Sequence, residues 1–375
     1  MKIEKVKVRA IDDVAGRVAE ISTDKLKFQT PSRGATSTEY NYKKTLKLAE
    51  PFDNKVGEYV GRFNAEDIKR FRAKNGSYSN RLKQAAFYGS AMIFAVSKTF
   101  PQHPKNYAFD EDTIRLLVEL QIEAGLDVAT IPFAPMSAGN LLKYYARWTK
   151  HCEDYGERQG RETVAAPEVP MYLDEEPFQR VMEGLWDSRA AYPLVALTYA
   201  PIREYKINYD FLRKEREQET WLHISQVPRV PPGASRERRS AMHLPQIYGI
   251  DTVTTAIPWG GGTPKADFDF AALRYFDRPT LSVPRISEWR TEHGSENPNC
   301  SCPACQGRGF QEIAEAAQGS AEEADGLSAL FGAFRLHEVF ESGLAFDEGR
   351  VYITENGFQD YLAERLGQGV SEFTG

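Results

Sequence analysis

Cysteine is scarce in this chain, with four residues in 375, and three of the four are bunched together, which fits a disulfide framework poorly. No apolar run of about 18 residues occurs, so no membrane span is expected. Met1 to Val8 alternates charged and apolar side chains, so no export leader is expected. An excess of positive charge is also missing. Lys and Arg total 47 against 53 Asp and Glu, giving a net charge of −6 and a pI near 5.7. No global field therefore draws the protein to nucleic acid, and such contact would need local basic patches. No internal repeat or low-complexity tract stands out. With 41% hydrophobic residues, the chain can bury one large core or two modest ones.

Present instead is Cys300-Ser301-Cys302-Pro303-Ala304-Cys305, three thiols within six positions, with His337 downstream on an expected helix over Leu327 to Ser342. Three thiolates and one imidazole complete the tetrahedral shell that a structural Zn²⁺ prefers. The alternatives are a reactive or redox thiol group, and His337 as an ordinary surface residue. Four protein ligands leave no open position for water, so Zn²⁺ here would hold structure and do no chemistry. Thiols arranged for metal, with Cys152 left over, point to a reducing, cytoplasmic compartment.

Residues Lys5 to Thr30 read as hairpin strands, with β-like runs at Val6 to Val8 and Arg17 to Ile21. Residues 31 to 60 read as a polar loop over a core. Helical periodicity follows at Ala65 to Ala73 and Asn80 to Tyr88. β-prone runs then recur at Ala91 to Ser97, Asp127 to Phe133, Val169 to Leu173, Pro193 to Ala200, Thr220 to Val227, Tyr248 to Ile257 and Pro279 to Val283. Their spacing of roughly 25 to 40 residues is that of βα units. Helices are expected between them at Asp112 to Ala124 and Glu176 to Arg189, and an exposed one at Ile313 to Gly326. The pattern predicts an α/β protein, a (β/α)8 TIM-like barrel with a C-terminal zinc-binding subdomain; a doubly wound sheet competes. The expected division is a β-rich segment over 1–60, a barrel over 61–290, and the zinc subdomain with C-terminal helices over 291–375.

Arg229, Arg236, Arg238 and Arg239 form the densest positive cluster and follow a strand, which in a barrel is the catalytic face. They are candidate phosphate contacts; a solvated helix start is the plainer reading. The loop Trp259 to Pro264, with three glycines, is weak for phosphate cradling.

The C-x-C-x-x-C…H cluster closing a barrel-like pattern, about fifty residues after Gly249-Ile250-Asp251-Thr252, resembles the tRNA-guanine transglycosylase superfamily. Arg17 to Pro31 resembles that family's amino-terminal strands leading to a Thr-Pro, and Phe109 to Val128 its helix and following strand. The resemblance implies a (β/α) barrel with structural Zn²⁺, and Asp251 as a nucleophile that holds ribose C1′ covalently while bases exchange. The hydroxyls of Thr252, Thr254 and Thr255 could orient it. Asp251 as a strand-end cap remains open, and a register shift of three would place the nucleophile slot on Thr254.

The family's base pocket is altered. Its Asp-Ser-Gly-Gly-Phe-Gln element corresponds to Ala95 to Phe100, with Val96 in the carboxylate position. A second base-binding Asp falls near Phe133, and the Gly-Gly of a later strand near Ser225-Gln226. Guanine offers N–H donors that call for acceptors, and neither Val96 nor Phe133 supplies one. Ser97, Lys98, Ser225 and Gln226 are the polar groups expected to take over. This divergence, and an end at Gly375 with no room for appended RNA-binding domains, favours the DNA-modifying relatives over tRNA enzymes, with a 7-deazaguanine as incoming base. A duplex target would be flipped out. Two rival expectations stand: a catalytically silent paralogue binding nucleic acid or a partner subunit, including a second copy of the chain, and an unrelated metabolite barrel with structural zinc.

Overall fold

The computed structural model of the chain describes residues 1–46, 56–62, 92–97, 110–230, 239–256, 269–294, 298, 300–320 and 326–367. An antiparallel sheet comes first, with strands β1 (Ile3–Ile11), β2 (Arg17–Thr23) and β3 (Lys27–Gln29) in that order. The β1–β2 turn is built by Asp12, whose Oδ1 accepts the N–H groups of Val14 and Ala15, each at 3.0 Å. Gly16 leaves that turn at φ +85°, where a side chain would be strained.

The remaining strands are parallel. β4 (Ser32–Arg33), β12 (Thr252–Thr255), β11 (Trp221–Val227), β10 (Leu194–Thr198), β9 (Val164–Pro170) and β8 (Val128–Ile131) form a six-stranded sheet in that order. A second parallel sheet joins β5 (Ala35–Thr36), β6 (Gly57–Arg62) and β7 (Met92–Ser97). Only Gly34 separates β4 from β5. Its N–H donates to Val253 O, the next N–H, of Ala35, donates to Val56 O, both at 2.8 Å, and the chain thus passes from one sheet to the other. A Cβ on Gly34 would stand 2.7 Å from the Thr254 methyl, so glycine is required by that approach.

Helices α1 (Ser37–Thr45), α2 (Glu111–Glu123), α3 (Ala138–Arg158), α4 (Glu175–Asp187) and α5 (Lys206–Lys214) fall between parallel strands. Asp110 caps α2, accepting the Thr113 N–H at 2.8 Å, and acidic residues fill the first turn, as the helix dipole favours. Alternation along the strands sorts the core. Val195, Leu197 and Val253 pack with helix residues such as Val181, Met182 and Leu185. Leu194, Ala196 and Trp221 face the other way, onto Val6, Ile21 and Phe28 of the antiparallel sheet. At the carboxyl end come α6 (Ile286–His293), α7 (Phe310–Ser320), α8 (Gly326–Thr354) and α9 (Phe358–Leu366).

The chain is thus a mixed α/β protein, and no helix among the described residues is long and apolar enough to cross a membrane. Three expectations shift. The segment 31–60 contains β4 to β6, because strands of two to six residues leave little periodicity to read. The run at 169–173 is really β9, which starts at Val164. Pro279 to Val283 is a turn, with a 3₁₀ segment Arg278–Thr280 and Leu281 at φ +46°, since Pro279 denies the ladder a donor. The helices expected at 65–73 and 80–88 lie outside the described residues.

Candidate metal centre and interior polar network

The segment 300–307 is a tight turn. The N–H groups of Cys305 and Gln306 donate to Cys302 O at 3.0 and 2.8 Å, and that of Gly307 to Cys300 O at 2.9 Å. Positive φ at Gln306 (55°) and Gly307 (75°) folds the chain back, which gathers the three sulfurs on one side. His337 comes to them from α8. Its Nδ1 lies 3.4, 3.6 and 3.3 Å from the Sγ atoms of Cys300, Cys302 and Cys305, and all four donor atoms lie within 4.8 Å of one another. A tetrahedral ion with bonds of about 2.3 Å to sulfur and about 2.0 Å to nitrogen has S···N edges of roughly 3.5 Å. The cluster fits a metal ion. Nε2–H of His337 donates to Phe276 O at 2.7 Å, which leaves the Nδ1 lone pair for the centre. Tyr275 stacks on the imidazole, with centroids 4.3 Å apart and planes 11° apart.

The thiols compete for charge. Hydrogen bonds from Cys300 and Cys305 bring Cys302 down to about 4, while the same crowding, from Cys300 and Cys302, pushes Cys305 up. A divalent cation removes this conflict by letting all three ionise. The three cysteines belong to a separate apolar cluster with Tyr275, Trp289, Phe310 and Phe334, and His337 is likewise buried. The donor set is complete without a substrate, so the site can brace α6 to α8 against each other.

Asp251 has a different setting from that expected. It precedes β12, at the amino-terminal ends of the parallel strands, and is fully buried. Arg17 Nε donates to Oδ1 at 3.1 Å and Arg17 Nη2 to Oδ2; Thr30 adds a bond to Oδ1 and the Leu222 N–H one to Oδ2, each at 2.8 Å. The sequence suggests a strand running through Gly249 to Thr252, but Pro245–Tyr248 is a 3₁₀ turn ended by Gly249 at φ +77°, so the strand begins after Asp251. Both oxygens of Asp251 are thus held by Arg17, Thr30 and the Leu222 N–H, at the end away from the strand-end loops.

Of the four loop arginines, Arg236 and Arg238 lie outside the described residues. Arg239 forms an antiparallel bridge to Ser282. Arg229, whose side chain is 25% exposed, forms an ion pair with the buried Glu338 on α8. That pair extends a buried network. Arg33 holds Glu39 at 2.6 Å, and Arg335 bonds both Glu39 and Glu338 at 2.9 Å. Burial alone would raise the Glu39 pKa, but Arg33 and Arg335 outweigh it and the carboxyl stays below its ordinary value of 4.5. A lowered folded-state pKa contributes stability that is present above about 4.5 and lost as pH falls through the folded value. Glu39→Gln is therefore expected to cost roughly 3 kcal/mol at pH 7. That gap to the parent should narrow below pH 4.5 in urea titrations; a gap independent of pH would remove the electrostatic explanation.

The inward strand positions carry polar groups that motif reading missed. His223 on β11 bonds Glu58 Oε2 on β6 through Nε2 at 2.6 Å and Thr252 Oγ1 through Nδ1 at 2.8 Å. Thr254 donates to the same Glu58 oxygen at 2.6 Å, while Glu58 Oε1 is buried and has no hydrogen-bond partner among the described residues. On β9, Glu168 accepts from Thr198 Oγ1 at 2.8 Å and from the Phe133 N–H at 3.2 Å. The available signal was a charged or imidazole side chain inside an apolar strand, as in Trp221-Leu222-His223-Ile224 and Ala165-Ala166-Pro167-Glu168-Val169.

Among the substrate-binding candidates, Ser225 is buried on β11 opposite Thr198. Gln226 takes φ +62° at a register shift between Ile224 and Val227, a bulge that turns the strand end. Ser97 ends β7 opposite Arg62. Lys98 lies outside the described residues. No protein-family model matches the chain, and no curated protein matches it.

Proposed function

We propose that the chain is a base-exchanging transglycosylase, a (β/α)8 barrel braced by Zn²⁺ that replaces guanine in a nucleic acid, DNA ahead of tRNA, with a 7-deazaguanine. The observation that carries this reading is the closed Cys₃His set following a parallel sheet whose inward face bears hydroxyl-bonded carboxylates. Three features support closure of the two sheets into one barrel. They share the strand broken at Gly34, β7 and β8 approach with Cα atoms within 8 Å, and Glu58 of one sheet meets His223 of the other. The S₃N donor set favours zinc among common ions.

With Asp251 committed to Arg17, the covalent role falls to Glu58, which lies hydrogen-bonded to Thr254, the position a three-residue register shift selects. Thr254 and His223 hold Oε2, leaving Oε1 to attack. Its lone pair bonds ribose C1′ as the C1′–N9 bond breaks; the electron pair leaves with the base, which takes a proton from solvent. The incoming base reverses these steps. Zinc supplies structure only.

The test is label exchange with guanine on DNA and on tRNA, with adducts trapped on denaturing gels. Glu58→Gln is expected to lose exchange by at least a hundredfold, whereas folded Asp251→Asn retains the adduct. Absence of exchange and adduct with either polymer, in folded protein, would sink the enzyme reading. The engagement of Asp251 and the lack of carboxylates at Val96 and Phe133 favour one second reading, a silent binding paralogue, marked by salt-dependent polymer binding without exchange.

A further inference from the structure

A centre with four buried protein ligands must still be filled and emptied through some opening, and an entry path is part of any complete metal site. The Cys₃His cluster is more open on one side. Cys300 and Cys302 are each 6% exposed, against 1% for Cys305 and 1% for His337. On that side lies a cavity of about 370 Å³, walled by Cys300, Ser301 and Cys302 of the turn and by Glu341, Gly343 and Asp347 of α8. Neither Cys305 nor His337 lines it.

Glu341 stands where this cavity meets the sulfurs. It follows His337 by about one helical turn, so α8 turns both side chains to the same segment. Its Oε1 lies 3.3 Å from Cys300 Sγ, which in turn lies 3.4 Å from His337 Nδ1. Its Oε2 accepts Arg278 Nε at 2.8 Å, while Arg278 Nη1 donates to Glu348, which offsets the guanidinium charge. One carboxylate oxygen is thus fixed, and the other is directed at the thiol. A cation about 2.1 Å from a carboxylate oxygen and about 2.3 Å from a sulfur spans such an O···S edge at an angle of roughly 100°. The spacing between Glu341 and Cys300 therefore lets one ion touch both. Cys300 belongs at once to the cavity wall and to the Cys₃His set.

We propose that this cavity is the route by which the metal ion enters and leaves, and that Glu341 is its receiving ligand, an oxygen donor that takes the hydrated ion at the inner end of the cavity and passes it to Cys300. The Glu341 oxygen displaces one water of hydration. The Cys300 sulfur then replaces that oxygen, and the thiol protons go to solvent water. Glu341 drops out of the finished set, since a carboxylate captures a hydrated divalent ion but does not compete with thiolates for zinc. The inference rests on the metal reading of the cluster and not on base exchange.

The experiment follows release of Zn²⁺ from the loaded full chain into an excess of chelating dye, and measures Zn²⁺ affinity separately by competition at equilibrium. A ligand used only in passage changes rates and not end states. Glu341→Gln is therefore expected to slow release about tenfold while affinity stays within about threefold of the parent, the first figure being the low end of what a residue behind a metal ligand commonly contributes. Because entry retraces exit, slower release at constant affinity means slower entry in proportion. Gly343→Trp narrows the cavity from a helix position where a Cβ meets nothing within 4 Å, so it should slow release at constant affinity without lowering melting. Glu348→Gln takes the other carboxylate from Arg278 but does not line the cavity, and should leave release unchanged. If Glu341→Gln fails to fold, Glu341→Asp, which keeps the charge and draws the oxygen back by one methylene, takes its place with the same expectation. Release that is unchanged in the folded Glu341 or Gly343 variant, that changes only as much as affinity does, or that slows equally in Glu348→Gln overturns the proposal and leaves the metal centre standing. Folded parent protein that binds no Zn²⁺ overturns the metal reading itself.

Discussion

Arg17→Met is expected to destabilise the protein by roughly 4 kcal/mol, the cost of breaking a buried ion pair from one side. Arg17 is 2% exposed and does more than neutralise Asp251. Its Nη1 donates to the carbonyls of Arg216 and Gln218 at 3.0 and 2.7 Å, and its Nη2 to that of Thr220 at 2.8 Å. One guanidinium therefore ties β2, the residues entering β11, and the start of β12. Methionine fills much of the space but leaves a charged carboxylate with only the Thr30 hydroxyl and the Leu222 N–H. Combining Asp251→Leu with Arg17→Met removes the stranded charge and should recover part of the loss. The measurement is chemical unfolding of the single and double variants. A single variant within about 1 kcal/mol of the parent would show that the pair is not the anchor described, and would reopen a chemical role for Asp251.

Cys302→Ser is expected to lose the metal and the C-terminal fold together. In isolated metal-dependent peptides, structural zinc supplies roughly 10–16 kcal/mol, comparable with the whole stability of a typical domain. Here the aromatic cluster of Tyr275, Trp289 and Phe310 buries area of its own, with Tyr275 and Phe310 edge to face at 5.0 Å. The variant should therefore keep some collapsed structure while melting lower by about 10 °C or more. Metal content by atomic emission and melting by calorimetry should fall in parallel. Loss of metal with unchanged melting would refute the bracing role.

The Cys₃His cluster was legible because its members are nearly contiguous; three of four needed only a turn, and the fourth a helix. The parallel strands β8, β10 and β11 were legible as apolar runs bounded by polar residues. β4 and β5 were not, because each is two residues long and is defined by partners rather than by its own pattern. The setting of Asp251 was not legible for a related reason. Whether a residue opens or closes a strand depends on the 3₁₀ turn before it, and Gly249 signals that turn no more strongly than a bulge. Glu58 and His223 come from strands far apart in sequence. Their meeting depends on the pairing of the sheets, and one charged residue in an apolar run carries no partner's address.

The Asp12 turn takes on another meaning beside the helices at the far end of the chain. Asp12 Oδ2 accepts the N–H of Phe358, 346 residues later, and Arg350 donates to Pro31 O at 2.7 Å across a separation of 319. At roughly 5–20 residues per second, a ribosome needs on the order of tens of seconds to bring those partners together. Val6, Ile21 and Phe28 are covered sooner, once Leu194, Ala196 and Trp221 have been made, so the hairpin's apolar face closes well before its two ties to the last helices. Such long-range closure makes for slow folding.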